Sequence, residues 1–270
     1  MKKRTIMQVS KEHFDKYAYY QKAVQSPNDD ADFIEKAYWR ARGREAKIMR
    51  EDFAAAFALT CSWTRKNEQH VGIAVDFDQE PLDYGKKHYL SKLNPDQQSR
   101  VQVLQENVLK PELPKADVIA ALNFSYMGFK ERNILKDYFK NCLDTLNEDG
   151  ILMLDCFGGA GTQEPNVHET EHDNFSYYWD QDTFNPVTNE SQFYIHFKLK
   201  GEKKRERVFS YDWRLWSLTE LRDLLQEVGF KSTVVYWEGT DDDGDGDGIF
   251  TPTETGDECE SWVAYIVALR

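Results

Sequence analysis

Four short stretches carry residues whose types and spacing suit ligand chemistry. Asp52 leads into Phe53-Ala54-Ala55-Ala56-Phe57-Ala58, an acid followed by small side chains at alternate positions 54, 56 and 58. Small residues let a backbone approach a ligand closely, and a helix beginning there offers N–H groups. Alanine keeps the size that such a loop needs but not glycine's freedom at positive φ, so the run also reads as the plain start of a helix. Asp76 lies about two dozen residues further on, the spacing at which a carboxylate accepts the hydroxyls of an adenosine ribose. Asp78 competes for that role, and a capping or solvated aspartate is the simpler alternative. Glu106-Asn107-Val108 offers an amide to pair with an adenine amino group and an apolar neighbour to cover its ring. Asn123-Phe124-Ser125-Tyr126 supplies polar groups where a reacting centre would sit.

Other residues are less specific. Tyr20, Tyr126, Tyr177, Trp179, Tyr211, Trp213 and Arg214 are pocket candidates whose aromatic faces can hold a flat or cationic substrate, although each also suits a core. His168 and His172, four apart beside acids, suggest a base or a metal pair, or simply a solvated loop. The string from Asp243 through Asp245, Asp247 and Gly248 to Glu254 matches a calcium-binding loop in its ligand positions. Its flanks, Val234–Trp237 and Trp262–Tyr265, read as strands instead of helices, which favours a solvated hairpin.

The elements that must position these residues alternate. Ala46–Asp52, Val71–Asp76, Val101–Gln105, Asp117–Asn123 and Ile151–Phe157 read as short apolar strands. Helices are expected over 54–66, 79–90 and 131–146, giving right-handed crossovers and a mostly parallel, doubly wound sheet. Before them, Phe14, Tyr17, Tyr20 and Val24 share one helix face, and a second amphipathic helix ends at Gly43. After Gly158 the rhythm breaks into aromatic strands at 175–179, 192–199 and 207–215, expected as an antiparallel insertion. Ser217-Leu218-Thr219-Glu220 is a capping box for a helix stopped by Gly229, and strands at 231–237 and 261–269 close a seven-stranded sheet.

The 270 residues, with 40% hydrophobic and 14% aromatic content, suffice for one core with an insertion. A net charge of -13 disfavours a general nucleic-acid binder and suits small, neutral or cationic substrates. No apolar run reaches the roughly 20 residues of a membrane span, and MKKRTIMQVSKEHF does not read as a secretory signal. Four scattered cysteines without CxxC spacing fit reduced thiols in a cytoplasm.

Taken in order at successive strand ends, these residues resemble the class I S-adenosylmethionine-dependent methyltransferases, and more narrowly an uncharacterised bacterial group of them. The resemblance covers most of the chain from Ala46 onward. It implies a Rossmann-like α/β fold, with S-adenosylmethionine held by Asp52, Ala54, Ala56 and Ala58, by Asp76 with Phe77, by Asn107 with Val108, and by Asn123. Residues 1–45 would form a helical lid, 46–270 the methyltransferase domain, and 158–216 an insertion over the active site. The expected activity is methyl transfer to a small-molecule acceptor, with Tyr20, Tyr126, Trp213 and Arg214 foremost among the pocket candidates. A binding protein of the same fold with weak or lost catalysis is the first rival, and a nicotinamide-dependent enzyme the second. Open strands in the insertion also suit a homo-oligomer.

Overall fold

The computed structural model describes residues 14–241 and 246–270. Five strands run parallel: β1 (Ile48–Asp52), β2 (Val71–Asp76), β3 (Val101–Gln105), β4 (Ala116–Ala121) and β5 (Leu146–Gly158). All six residues of β4 are buried, because helices cover both faces of the sheet and leave no polar side to alternate with. On one face α2 (Pro27–Arg42) and α3 (Ala58–Lys66) pack Ile34, Tyr38 and Trp63 against Met49, Val118 and Met153. On the other, α6 (Arg132–Thr145) and α7 (Leu218–Val228) pack Leu135, Phe139, Leu221 and Leu225 against Ile119, Ala121 and Leu152.

The sheet has eight strands, in the order β11-β10-β12-β5-β4-β1-β2-β3, where seven were expected. The closing strands β10 (Ser232–Thr240) and β12 (Trp262–Leu269) are antiparallel, and the extra one is β11 (Gly246–Thr253). Part of the acidic glycine-rich run therefore extends along β10 instead of remaining a loop. Phe250 anchors it, with its ring 5.7 Å from Phe33 and 4.6 Å from Tyr265. Strand order reverses between β1 and β4, so the crevice at their carboxyl ends is where such a sheet receives ligands.

The insertion is a four-stranded antiparallel sheet, β6 (Asn166–Glu171), β7 (Phe175–Asn185), β8 (Glu190–Leu199) and β9 (Arg205–Arg214), one strand more than expected. β6 is exposed at every residue, so no apolar alternation marks it in the sequence. Trp179, Phe193 and Trp213 join the main core through Phe157. Further along, Tyr177, Ile195 and Phe197 receive α1 (Lys16–Val24) through Tyr19. The helix α1 also reaches α4 (Gln79–His88) and the segment after it. The Tyr84 hydroxyl donates to Asp15 at 2.8 Å, the Tyr89 hydroxyl to Gln21 at 2.6 Å, and Lys16 pairs with Glu80 at 2.8 Å. It thus bridges the insertion and the β2 side of the sheet. The remaining short helix, α5 (Pro95–Ser99), starts with an Asn94–Gln97 capping box.

Candidate active site

Between β1 and α3 the chain does not begin a helix at Ala54 as its alanines suggest; α3 starts at Ala58. Phe53, Ala55 and Phe57 take positive φ of 57°, 44° and 48°, so every second residue is left-handed. These are the positions that glycine would fill, and they fall one residue off the 54, 56, 58 register of the alanines. The acid two residues before the first left-handed position is then Glu51, not Asp52. Burial agrees with this shift. Asp52 points into the α6 side, where it pairs with Arg50 at 2.7 Å and accepts from the Tyr138 hydroxyl at 3.0 Å, with both ion-pair partners fully buried. Glu51 faces the loop side and accepts from the Thr60 backbone N–H at 2.8 Å, near the start of α3. The Asp52 assignment is corrected accordingly: its charge is consumed inside the core.

The side chains on the left-handed residues turn away into two cores. Phe53 meets Phe129 at a tilt and Tyr138 edge-on, and Phe57 packs with Cys61 and Leu82. Gly85 of α4 makes room for this path, since a Cβ there would sit 2.2 Å from the Ala56 carbonyl oxygen. From the neighbouring strand end, Asp76 accepts from Ala55 N–H at 2.7 Å and from Asp78 N–H at 2.8 Å. Burial raises its pKa above the usual aspartate value although these backbone donors pull the other way. Phe77 beside it is 72% exposed, a large apolar face left open at the crevice. Asn107 is exposed, and its side-chain oxygen accepts from Leu109 N–H at 2.9 Å while Val108 is buried below.

At the end of β4, Asn123 and Phe124 are again left-handed, φ 56° and 57°. Their N–H groups donate to the two oxygens of Asp155 on β5, at 2.6 and 2.8 Å. Asp155, an acid inside the apolar run Ile151–Phe157, was not singled out by sequence reasoning, although that placement was a signal. Asp30 was also missed, because nothing local distinguishes it from an exposed acid in a helix's first turn. Burial raises the pKa of Asp30, Glu51 and Asp155 each to about 7. The charge of Asp30 adds to the rise of both Glu51 and Asp155.

The aromatic candidates divide. Tyr20 of α1 lies against Tyr211 of β9 and within the field of Asp155, and burial raises its pKa to about 12. Tyr177 interacts with both tyrosines. Tyr126 instead is fully buried and donates to the Asp155 backbone carbonyl at 2.7 Å, so it supports the site from below. Trp213 is buried among Trp179, Phe193 and Tyr211. Arg214 is held by Glu220 at 3.0 Å and stacks 3.7 Å over Trp216, on the capping box of α7. Those three candidates therefore serve the scaffold. His168 lies in the exposed strand β6, and His172 stacks on Phe175 at 4.3 Å. Of the acidic string, Asp243 and Asp245 lie outside the described residues, while Asp247 is in β11 and accepts from Ile249 N–H at 2.7 Å. Glu254 follows that strand in an exposed stretch. Among the described residues no cluster of three or more His, Cys, Asp or Glu is arranged to hold a metal. Nor is any described helix long and apolar enough to cross a membrane.

No protein-family model matches this sequence, and neither does any curated protein. Its fold, however, is that of solved methyltransferases. An S-adenosylmethionine-dependent methyltransferase from Clostridium acetobutylicum superposes with a TM-score of 0.67 at 17% identity, covering 93% of this chain and 97% of that one. CalS10, an amino pentose methyltransferase from Micromonospora echinaspora solved with S-adenosylmethionine, gives 0.68 at 11% identity over 97% and 99%. The sugar N-methyltransferase KedS8 from Streptoalloteichus gives 0.63 at 12% identity over 100% and 98%. The class I methyltransferase fold expected from the ordered strand ends is thus the fold of this chain.

Proposed function

We propose that this protein is an S-adenosylmethionine-dependent methyltransferase acting on a small-molecule acceptor. One observation carries the reading: the β1–α3 loop, turned by three left-handed residues and tied through Ala55 to Asp76, lies at the point where strand order reverses. The residues fit the cofactor. Asp76 retains acceptor capacity beyond its two backbone donors and would take the ribose hydroxyls, with Phe77 and Val108 against the adenine and Asn107 at its edge. The backbone of 53–57 and the carboxylate of Glu51 would receive the charged methionine portion. When bound, the cofactor supplies an electrophilic methyl on a sulfonium. The work left to the protein is to orient the acceptor and exclude water.

The helix α1 and the insertion would act as the cover; this reading is supported by the packing of Tyr19 on β7 and β8 and by the bonds of Asp15 and Gln21 to Tyr84 and Tyr89. The named activities of the structural neighbours, on an amino pentose and a sugar amine, support a small acceptor. Cys61, Cys142 and Cys156 are buried and unpaired, which supports a reducing, cytoplasmic setting. Calorimetry with S-adenosylhomocysteine tests the reading. One-site binding, weakened about tenfold or more in Asp76→Ala, is expected. No heat at millimolar ligand would leave only a binding protein of this fold.

A further inference from the structure

We propose that the groove between α7 and the start of β10 is a second binding site, for a small organic anion with a phosphate or carboxylate head and an apolar body. It does not rest on the cofactor reading, and it is separate from the crevice. Ser232 pairs with Leu269, and Leu269 with Ile151, so this end of β10 lies level with the early part of β5. The crevice lies at the other end of the sheet, beyond the carboxyl ends of the parallel strands. Pairing with β11 reaches only as far as Val235, which leaves residues 232–234 at the open edge of the sheet. Beside them is a cavity of about 340 Å³, a size suited to a small ligand.

The lining brings two cations together in a chain whose net charge is -13. Arg222 reaches from α7 to β10, where its Nε donates to the Thr233 hydroxyl at 2.9 Å. Arg50, Arg100, Arg132, Arg205 and Arg214 each hold a carboxylate. Arg222 has no such partner among the described residues, although Asp223 follows it directly and is the one acid of the lining. Lys231 lines the same cavity and is likewise in no ion pair among the described residues.

The bond to Thr233 orients the planar guanidinium and leaves its two terminal nitrogens free. Their parallel N–H groups form the fork that takes two oxygens of a phosphate or a carboxylate, with Lys231 as a second, movable charge. Phe230, buried and also part of the lining, supplies an apolar surface. A bare inorganic ion would leave that surface uncovered, so an anion that carries an apolar body fits the cavity better.

The test is a nuclear magnetic resonance titration of the full chain with phenyl phosphate, benzoate, inorganic phosphate and benzylamine. At least one of the two organic anions should bind at about millimolar concentration or tighter and shift the amide signals of residues 219–233. The tighter of the two identifies the head group. Inorganic phosphate should bind several-fold more weakly, and benzylamine should leave those signals in place. Arg222→Gln, checked for folding by circular dichroism, should weaken the organic anion about tenfold. Lys231→Gln, which removes no internal bond, should weaken it several-fold. No shift at residues 219–233 up to about 20 mM of either organic anion overturns the inference. So does an equal response to benzylamine, inorganic phosphate binding as tightly as the organic anion, or affinity unchanged in folded Arg222→Gln or in Lys231→Gln.

Discussion

Phe53, Ala55 and Phe57 each carry a Cβ in a backbone region that side chains avoid, at roughly 1 kcal/mol apiece. Ala55→Gly should therefore raise stability by up to about 1 kcal/mol, read from the denaturant midpoint. Ala56→Gly relieves no positive φ and should lower stability by about 0.5 kcal/mol. The reverse order would mean that the loop takes another path. The buried acids make a second residue-scale point. A carboxyl raised in the folded state binds its proton more tightly there than in the unfolded chain, so it stabilises at low pH and loses this contribution as pH rises to its folded value. For Asp30, with an ordinary value of 3.8 and a folded value of about 7, that window runs between those limits. Asp30→Asn should accordingly raise the melting temperature at pH 8 and leave it nearly unchanged at pH 4. A gain of equal size at both would show that Asp30 is not strained by burial.

At the scale of elements, α4 shapes the cofactor loop as much as the loop's own residues do. Gly85→Ala would place a methyl 2.2 Å from the Ala56 carbonyl and 2.4 Å from the Phe57 ring. A loss of about 2 kcal/mol or more, together with weakened S-adenosylhomocysteine binding, is expected; retained binding would uncouple the two elements. This contact explains why the loop was misread. Ala54-Ala55-Ala56 has helical propensity, and the tertiary forces that override it come from Gly85 and Asp76, well away in sequence. With Glu51 and Asp52 adjacent, only the backbone reveals which acid turns to the start of α3 and which into the core. The five parallel strands were legible because each is a short apolar run at a helix-length interval. β6 was not, being polar and exposed throughout, and β11 was hidden in a string whose composition suits a loop.

Over the whole molecule, α1 ties the inserted sheet to the Rossmann-like core through side-chain contacts on α4 and just beyond it. Removing the hydroxyls in Tyr84→Phe and Tyr89→Phe should weaken that bridge by about 1 kcal/mol each. Hydrogen exchange should then accelerate in α1 while β4 and β5 stay protected. Uniform acceleration would mean that α1 is part of the cooperative core and not a separable cover. Asp76, Asn107 and Asn123 each follow or end a parallel strand and are tied to local backbone or to Asp155, whereas Tyr126 and Arg214, indistinguishable by type from pocket residues, are bound to the Asp155 carbonyl and to Glu220. The most direct measurement of the central claim is a crystal structure grown with S-adenosylhomocysteine. Density is expected with the ribose on Asp76, the adenine against Phe77, and the amino-acid portion along Phe53–Phe57. Ligand bound elsewhere, or a crevice without ligand at millimolar concentration, would contradict it.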